Sequence, residues 1–64
     1  MQHPQKEEDF PLAFLSADVT VQFEVLVLLG CDPHYCGLSE ALERFEESTE
    51  AVKAACMVAV GLLQ

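Results

Sequence analysis

Two cysteines, a histidine and a tyrosine fall within the six residues Cys31–Cys36, which read CDPHYC. Thiolate and imidazole groups are the usual ligands of structural zinc. A zinc site here would draw on Cys31, His34, Cys36 and Cys56, with His3 as a further candidate ligand. The spacing is unfavourable, because four residues separate the first two cysteines and no second closely spaced ligand pair follows. The composition of this segment alone therefore does not establish a metal site.

The same segment also offers thiol chemistry. Cys31 and Cys36 are not in the CxxC arrangement that lowers a thiol pKa, and the carboxylate of Asp32 disfavours a neighbouring thiolate. Nucleophilic catalysis would need an orienting third group and a pocket, and the chain has only three glycines and no phosphate-binding loop. We therefore expect no enzyme and no cofactor. A thiol- or zinc-dependent module centred on the Cys31–Cys36 loop is kept as the alternative function.

Local physics explains the segment without a site. Asp32 followed by Pro33 is the preferred start of a helical turn, and Gly37 ends it. The segment is thus predicted to be a one-turn connector between two longer elements. Tyr35 lies on this connector and is a candidate contact residue, because tyrosine is enriched at binding hot spots.

A second group of candidate residues is acidic. Glutamates recur at 3-4-3 spacing and share one face of a predicted helix: Glu40, Glu43, Glu47 and Glu50. Such a row presents carboxylates to Lys or Arg, which predicts a protein partner with a basic surface. The expected function is a small acidic, non-enzymatic interaction protein that binds and modulates a larger partner. Its sharpest form is an inhibitor or nucleic-acid-mimicking regulator.

The overall charge excludes further classes of partner. Three basic residues stand against 11 acidic ones, for a net charge of −8. Direct binding to nucleic acid or to an anionic membrane is disfavoured, because phosphate contacts need Lys and Arg. No apolar run reaches the roughly 18–20 residues of a membrane span. The first ten residues have no signal-peptide pattern and the cysteine count is odd, so we expect a cytoplasmic protein with reduced thiols.

The elements that position these residues are predicted to be helices. From Leu38 to Leu63 an apolar seam repeats at 4-3-4-3 spacing, broken only by Thr49. A single helix of this length would extend roughly 39 Å, beyond the diameter of about 28 Å expected for a compact chain of this size. Either the helix breaks at Ser48 and Thr49, which are both good caps, or a second chain covers the overhang. We favour the second arrangement.

Hydrophobic composition points the same way. Apolar residues make up 52% of the chain, and the stretch AACMVAVGLL near the C-terminus is apolar on every side of a helix. This predicts an all-α homodimer, a hairpin or small bundle formed by dimerisation. The predicted interface side chains are Val52, Cys56, Ala59, Val60 and Leu63.

Residues 16–30 are ambiguous. Polar and apolar residues alternate from Asp18 to Val25, which is typical of a half-buried strand. Ser16 as an N-cap and Gly30 as a C-terminal stop favour a helix instead. We favour the helix, and the alternative is an α+β dimer in which residues 18–25 form an intermolecular β-ribbon.

The N-terminal part is predicted to contain little regular structure. Residues 1–9 are polar and read as a flexible leader. Residues 10–15 are apolar but contain Pro11, so they are expected to cross the core as an extended arm. Residues 10–64 would then form a single small helical domain.

Overall fold

A computed structural model of the chain describes the backbone of residues 5–63, with side chains from residue 7. The described backbone consists of helices joined by turns. They are α1 (Gln5–Glu8), α2 (Phe10–Ser16), α3 (Val19–Leu28), α4 (Leu38–Glu47) and α5 (Glu50–Ala59). None of these described residues lies in a strand. The predicted all-α class is confirmed, and the alternative β-ribbon at residues 18–25 is wrong.

The boundaries of α3 follow from its two ends. Asp18 has extended backbone geometry and precedes the first turn, whereas Ser16, the predicted N-cap, ends α2 instead. At the other end Gly30 adopts a φ of +77°, which glycine reaches without steric cost. The Cys31 amide then donates to the carbonyl oxygen of Leu26 at 2.8 Å. This closes the helix in a Schellman motif, as the position of Gly30 predicted.

The alternation of polar and apolar residues in α3 has a tertiary explanation. Val25 and Leu26 are buried, whereas Phe23 and Glu24 are exposed to solvent. The polar and apolar residues of α3 therefore do not separate into two opposite faces. Gln22 lies against α2, where its Nε2 donates to the carbonyl oxygen of Phe14 at 2.9 Å. The same oxygen accepts from the Ala17 amide at 3.2 Å, so the Gln22 bond adds a second donor at the end of α2 and ties the two helices together.

Residues 10–15 form a helix, and the predicted extended arm is wrong. Pro11 lies in the first turn of α2, where its missing amide proton would have had no partner. Phe10 and Phe14 are buried on one side of α2. The Phe10 ring stacks on the Phe45 ring of α4, with centroids 4.0 Å apart and planes at 4°. Burial of these rings holds a helix that is too short to be stable in isolation.

The predicted continuous helix from Leu38 to Leu63 is also wrong, because it breaks at Ser48 and Thr49. Thr49 is extended, and its Oγ1 accepts a hydrogen bond from the Val52 amide at 3.3 Å, which caps α5. The hydroxyl of Ser48 donates to the Arg44 carbonyl oxygen at 2.7 Å at the end of α4. The break lets α5 fold back against α4, so no helix overhangs the molecule.

The C-terminal end of α5 comes earlier than the seam indicated. Gly61 has a φ of +87°, and the Leu62 amide donates to the Met57 carbonyl oxygen at 2.8 Å. This is a second Schellman motif, and it ends the helix at Ala59. Residues 62–63 turn back toward the core, against which Leu62 and Leu63 pack.

Four helices contribute to one core. Its largest fully buried side chains are Phe10 of α2, Val25 of α3, Phe45 of α4 and Cys56 of α5. α3 and α5 pack on each other most extensively, and the radius of gyration is 10.8 Å. No helix within the described part of the chain has the length and hydropathy needed to cross a membrane.

The predicted leader is only partly described. Residues 5–8 form the single turn of α1, and Glu7 makes an ion pair with Lys53 of α5 at 3.8 Å. Residues 1–4, including the candidate ligand His3, lie outside the described residues.

Candidate functional site

The Cys31–Cys36 loop is a hydrogen-bonded connector. Oδ1 of Asp32 accepts from the His34 amide at 2.9 Å. The Asp32 carbonyl oxygen accepts from the amides of Tyr35 and Cys36 at 2.9 and 3.0 Å. The predicted one-turn connector is therefore confirmed, and Asp32 organises it.

The two thiols of the loop are close enough to interact. Cys31 is buried, and the pKa of its thiol is raised from 9.0 to about 11. Burial is the main cause, the hydrogen bond with the Cys36 side chain and the charges of Cys36 and Glu40 contribute to the rise, and the charge of Arg44 opposes it. Burial also raises the pKa of the Cys56 thiol. Cys31 and Cys56 are therefore protonated near neutral pH, which opposes both nucleophilic attack and metal ligation.

The zinc ligand set is not assembled. Among the described side chains, no three His, Cys, Asp or Glu residues come together in a group that could hold a metal ion. Cys56 lies in the core on α5, whereas His34 is exposed on the connector. Tyr35 is also on the connector, with 83% of its surface exposed, and so remains available as a contact residue.

The acidic row is shorter than the sequence indicated. Glu40, Glu43 and Glu47 line a shallow cleft of about 770 Å³ along α4. Glu50 lies beyond the break at Thr49, as the first residue of α5, and does not line this cleft. The premise of four carboxylates on one continuous helix is thus wrong, and three remain.

Arg44 lies within the acidic cleft and neutralises part of it. Its Nη2 is 3.8 Å from a Glu40 carboxylate oxygen, and its Nη1 donates to the Gly30 carbonyl oxygen at 3.4 Å. The second contact joins α4 to the end of α3. Both side chains of the ion pair are about half exposed, so the pair is screened by solvent and adds little stability.

The side chains predicted to join two copies already have partners within the chain. Cys56 is completely buried in the core, and Val52, Ala59, Val60 and Leu63 are partly buried against it. The helices α3 and α4 pack against α5 and cover these side chains in part, whereas the association of two copies stays a prediction.

An uncovered apolar surface is found on α3, where the sequence predicted no site. Val19, Phe23 and Val27 follow one another at i, i+4 spacing, with 66%, 45% and 66% of their surfaces exposed. Together with Thr20, Glu24 and Leu28 they form the outer face of the helix, which we call the α3 face. The sequence of α3 could have indicated this surface, because the helix is apolar around most of its circumference.

The α3 face borders two grooves. One, of about 490 Å³, is lined by Thr20, Phe23, Glu24, Val27, Leu28 and Pro33. A second, of about 260 Å³, lies between α2 and the connector and includes Leu15 and Cys36. Phe23 and Pro33 line both grooves, so the apolar surface continues from α2 to the connector.

Comparison of the chain with protein-family models, with curated proteins and with solved structures finds no match in any of the three. The function is therefore inferred from the chemistry of these surfaces.

Proposed function

We propose that this protein is a small acidic, non-enzymatic binding module that contacts a larger protein through the α3 face and modulates it. The carrying observation is the ridge of Val19, Phe23 and Val27, which is largely exposed and continuous with a groove. Single exposed apolar residues are ordinary on protein surfaces, whereas a contiguous apolar patch is typical of an interaction site. Aromatic anchors such as Phe23 often supply most of the binding energy in such contacts.

The acidic cleft supports a partner with a basic surface. Glu40, Glu43 and Glu47 present carboxylates along about 10 Å of α4, and the whole chain carries a net charge of −8. Such a field speeds the encounter with a positively charged protein and disfavours acidic ones. Inhibition would follow if the module occupied a basic surface that the partner uses for another ligand, including nucleic acid.

Self-association through Val52, Cys56, Ala59, Val60 and Leu63 is no longer required by the apolar content, since these side chains pack on the chain's own core. The α3 face holds four exposed large apolar side chains, Val19, Phe23, Val27 and Leu28. We therefore propose that the protein acts by binding a partner through the α3 face, and not through a second copy packed against residues 52–63.

The alternative function, a thiol-dependent module, has one supporting observation, the hydrogen bond between the Cys31 and Cys36 side chains. Metal analysis of the purified protein with a thiol count separates it from the main proposal. One equivalent of bound metal that disappears in a Cys36→Ser variant would favour the alternative.

The main proposal is tested by affinity capture from native cell extract with two matched variants. Val27→Asp places a charge on the α3 face, whereas Val58→Asp makes the same change at a half-exposed position of α5 that lines neither groove. We expect Val27→Asp to lose the proteins retained by the wild type and Val58→Asp to keep them, with circular dichroism confirming that both fold.

An electrostatic arm completes this experiment. Replacing Glu40, Glu43 and Glu47 together with Gln should weaken capture and reduce its salt dependence, while Glu50→Gln serves as the control outside the cleft.

If Val27→Asp and Val58→Asp retain the same proteins as the wild type, the α3 face is not the contact surface.

A further inference from the structure

The shape of the α3 face suits a helix. Its side chains form two parallel rows at i, i+4 spacing, Val19–Phe23–Val27 and Thr20–Glu24–Leu28. Rows of this kind are the ridges that interdigitate when two helices pack, with axes 8–10 Å apart. α3 has ten residues, so the face is about 15 Å long and accommodates two to three turns of a second helix.

The charge of the α3 face is concentrated at one point. Of its six residues only Glu24 is charged, and it lies at the middle of the helix. Glu24 makes no ion pair with any described side chain, because the two described basic side chains are used elsewhere, Arg44 with Glu40 and Lys53 with Glu7. A helix laid on this face would remove water from the Glu24 carboxylate, which is unfavourable unless the incoming helix brings a cation or donor.

This charge argues against a second copy as the occupant. In a symmetric pair of α3 faces related by a two-fold axis, each residue near the centre of the helix approaches its own counterpart. The two Glu24 carboxylates would then lie close together, and two chains of net charge −8 would be joined. Like charges opposed in an interface strongly disfavour that pairing.

We infer that the α3 face binds an amphipathic α-helix of another protein, and that Glu24 selects a helix with a Lys or Arg set within its apolar stripe. The inference rests on the proposed function and specifies the chemistry of the partner. Apolar side chains of that helix would pack between the two ridges, beside Phe23 and Val27. Its basic residue would meet Glu24 at the centre of the contact, which fixes the position of the helix along α3.

The test uses synthetic peptides and the full chain. The first peptide is an amphipathic helix with Leu at i, i+4 and i+7 positions and one Lys inside the apolar stripe. The second carries Glu in place of that Lys, and the third is a scrambled sequence of the first. Dissociation constants are measured by isothermal titration calorimetry with the wild type, Glu24→Gln and Glu24→Lys. Glu24 is exposed on α3, so neither substitution disturbs the core.

We expect the wild type to bind the Lys peptide about 30-fold more tightly than the Glu peptide, a ratio in the range of close charge pairs at interfaces. Glu24→Gln should reduce this preference to about threefold or less, and Glu24→Lys should reverse it. A reversed preference is informative because a general loss of stability would weaken the binding of both peptides alike.

Three outcomes would overturn the inference. Equal dissociation constants of the wild type for the Lys, Glu and scrambled peptides would show that the α3 face does not select a cationic amphipathic helix. Absence of binding to the Lys peptide would exclude this occupant. A dimer seen by sedimentation and dissociated by Val27→Asp would identify a second copy instead. Failure of the proposed function is separate, since it is recognised by capture that is unaffected by Val27→Asp.

Discussion

Replacing Phe10 with Ala tests whether α2 belongs to the core. Phe10 is completely buried, and its ring stacks on Phe45 at 4.0 Å and lies 5.7 Å from the Phe14 ring. Truncation of a buried phenylalanine removes its transfer free energy and leaves a cavity, at a cost of about 3–5 kcal/mol. The loss of ring stacking is part of that cost.

This cost is large for so small a chain. At 0.05–0.15 kcal/mol per residue, a protein of this length has a total unfolding free energy of about 3–10 kcal/mol. Phe10→Ala should therefore remove about a third of the stability at the least, and all of it at the lower end of that range. With a urea dependence near 1 kcal/mol per molar, the midpoint of unfolding should fall by about 3 M or the protein should be unfolded without urea.

The control lies on the same helix. Leu12 is 70% exposed, so Leu12→Ala should change the unfolding free energy by less than about 0.5 kcal/mol. Both variants and the wild type are compared by urea titration followed with circular dichroism. If Phe10→Ala lowers the midpoint no more than Leu12→Ala, α2 does not pack on the core and the account of the fold fails.

Three further predictions concern the helix ends and the thiols. Gly30→Ala and Gly61→Ala should each cost about 1–2 kcal/mol in urea titrations, since alanine is strained at positive φ. Gly37→Ala, at a φ of −90°, should cost less than half as much, and equal costs would contradict the two Schellman motifs. Iodoacetamide at pH 8 should modify partly exposed Cys36 before Cys31, as resolved by mass spectrometry, and the reverse order would contradict the raised pKa of Cys31. Because the unfolded thiol loses its proton near 9.0 and the folded one near 11, the unfolding free energy should fall as pH rises from 9 to 11, and fall less in Cys31→Ala.

Local signals predicted the turns well. Gly30 stops α3 and Asp32 organises the connector, because both effects depend on backbone geometry within a few residues. Thr49 was also recognised as a potential cap, but the apolar seam on both sides of it favoured an unbroken helix. The seam persists through the break because both α4 and α5 face the same core. Sequence spacing alone does not distinguish these arrangements.

The errors arose where tertiary contacts decide. The short segment around Pro11 is helical only because Phe10 and Phe14 are buried against other helices. Gln22 contributed to the alternation that made residues 16–30 ambiguous, and its side chain donates to the Phe14 carbonyl oxygen of the neighbouring helix. Neither contact is encoded within the segment it stabilises.

The candidate surface was missed for a related reason. The sequence holds more apolar residues than one small chain was expected to bury, and the excess was assigned to α5, which is apolar around its C-terminal half. In the folded chain Cys56 and Met57 of α5 are buried by neighbouring helices, while Val19 and Val27 of α3 remain exposed. Both helices had enough apolar surface to be the uncovered one, and only their packing determines which it is.

Photo-crosslinking tests the central claim most directly, which is that the α3 face is the contact surface for a partner protein. A benzophenone amino acid is placed at position 27 on α3, and in a second variant at position 58 on α5, and each is irradiated in native cells. We predict one discrete protein adduct from position 27 and none from position 58. Absence of an adduct from position 27, or the same adduct from both positions, would contradict the account.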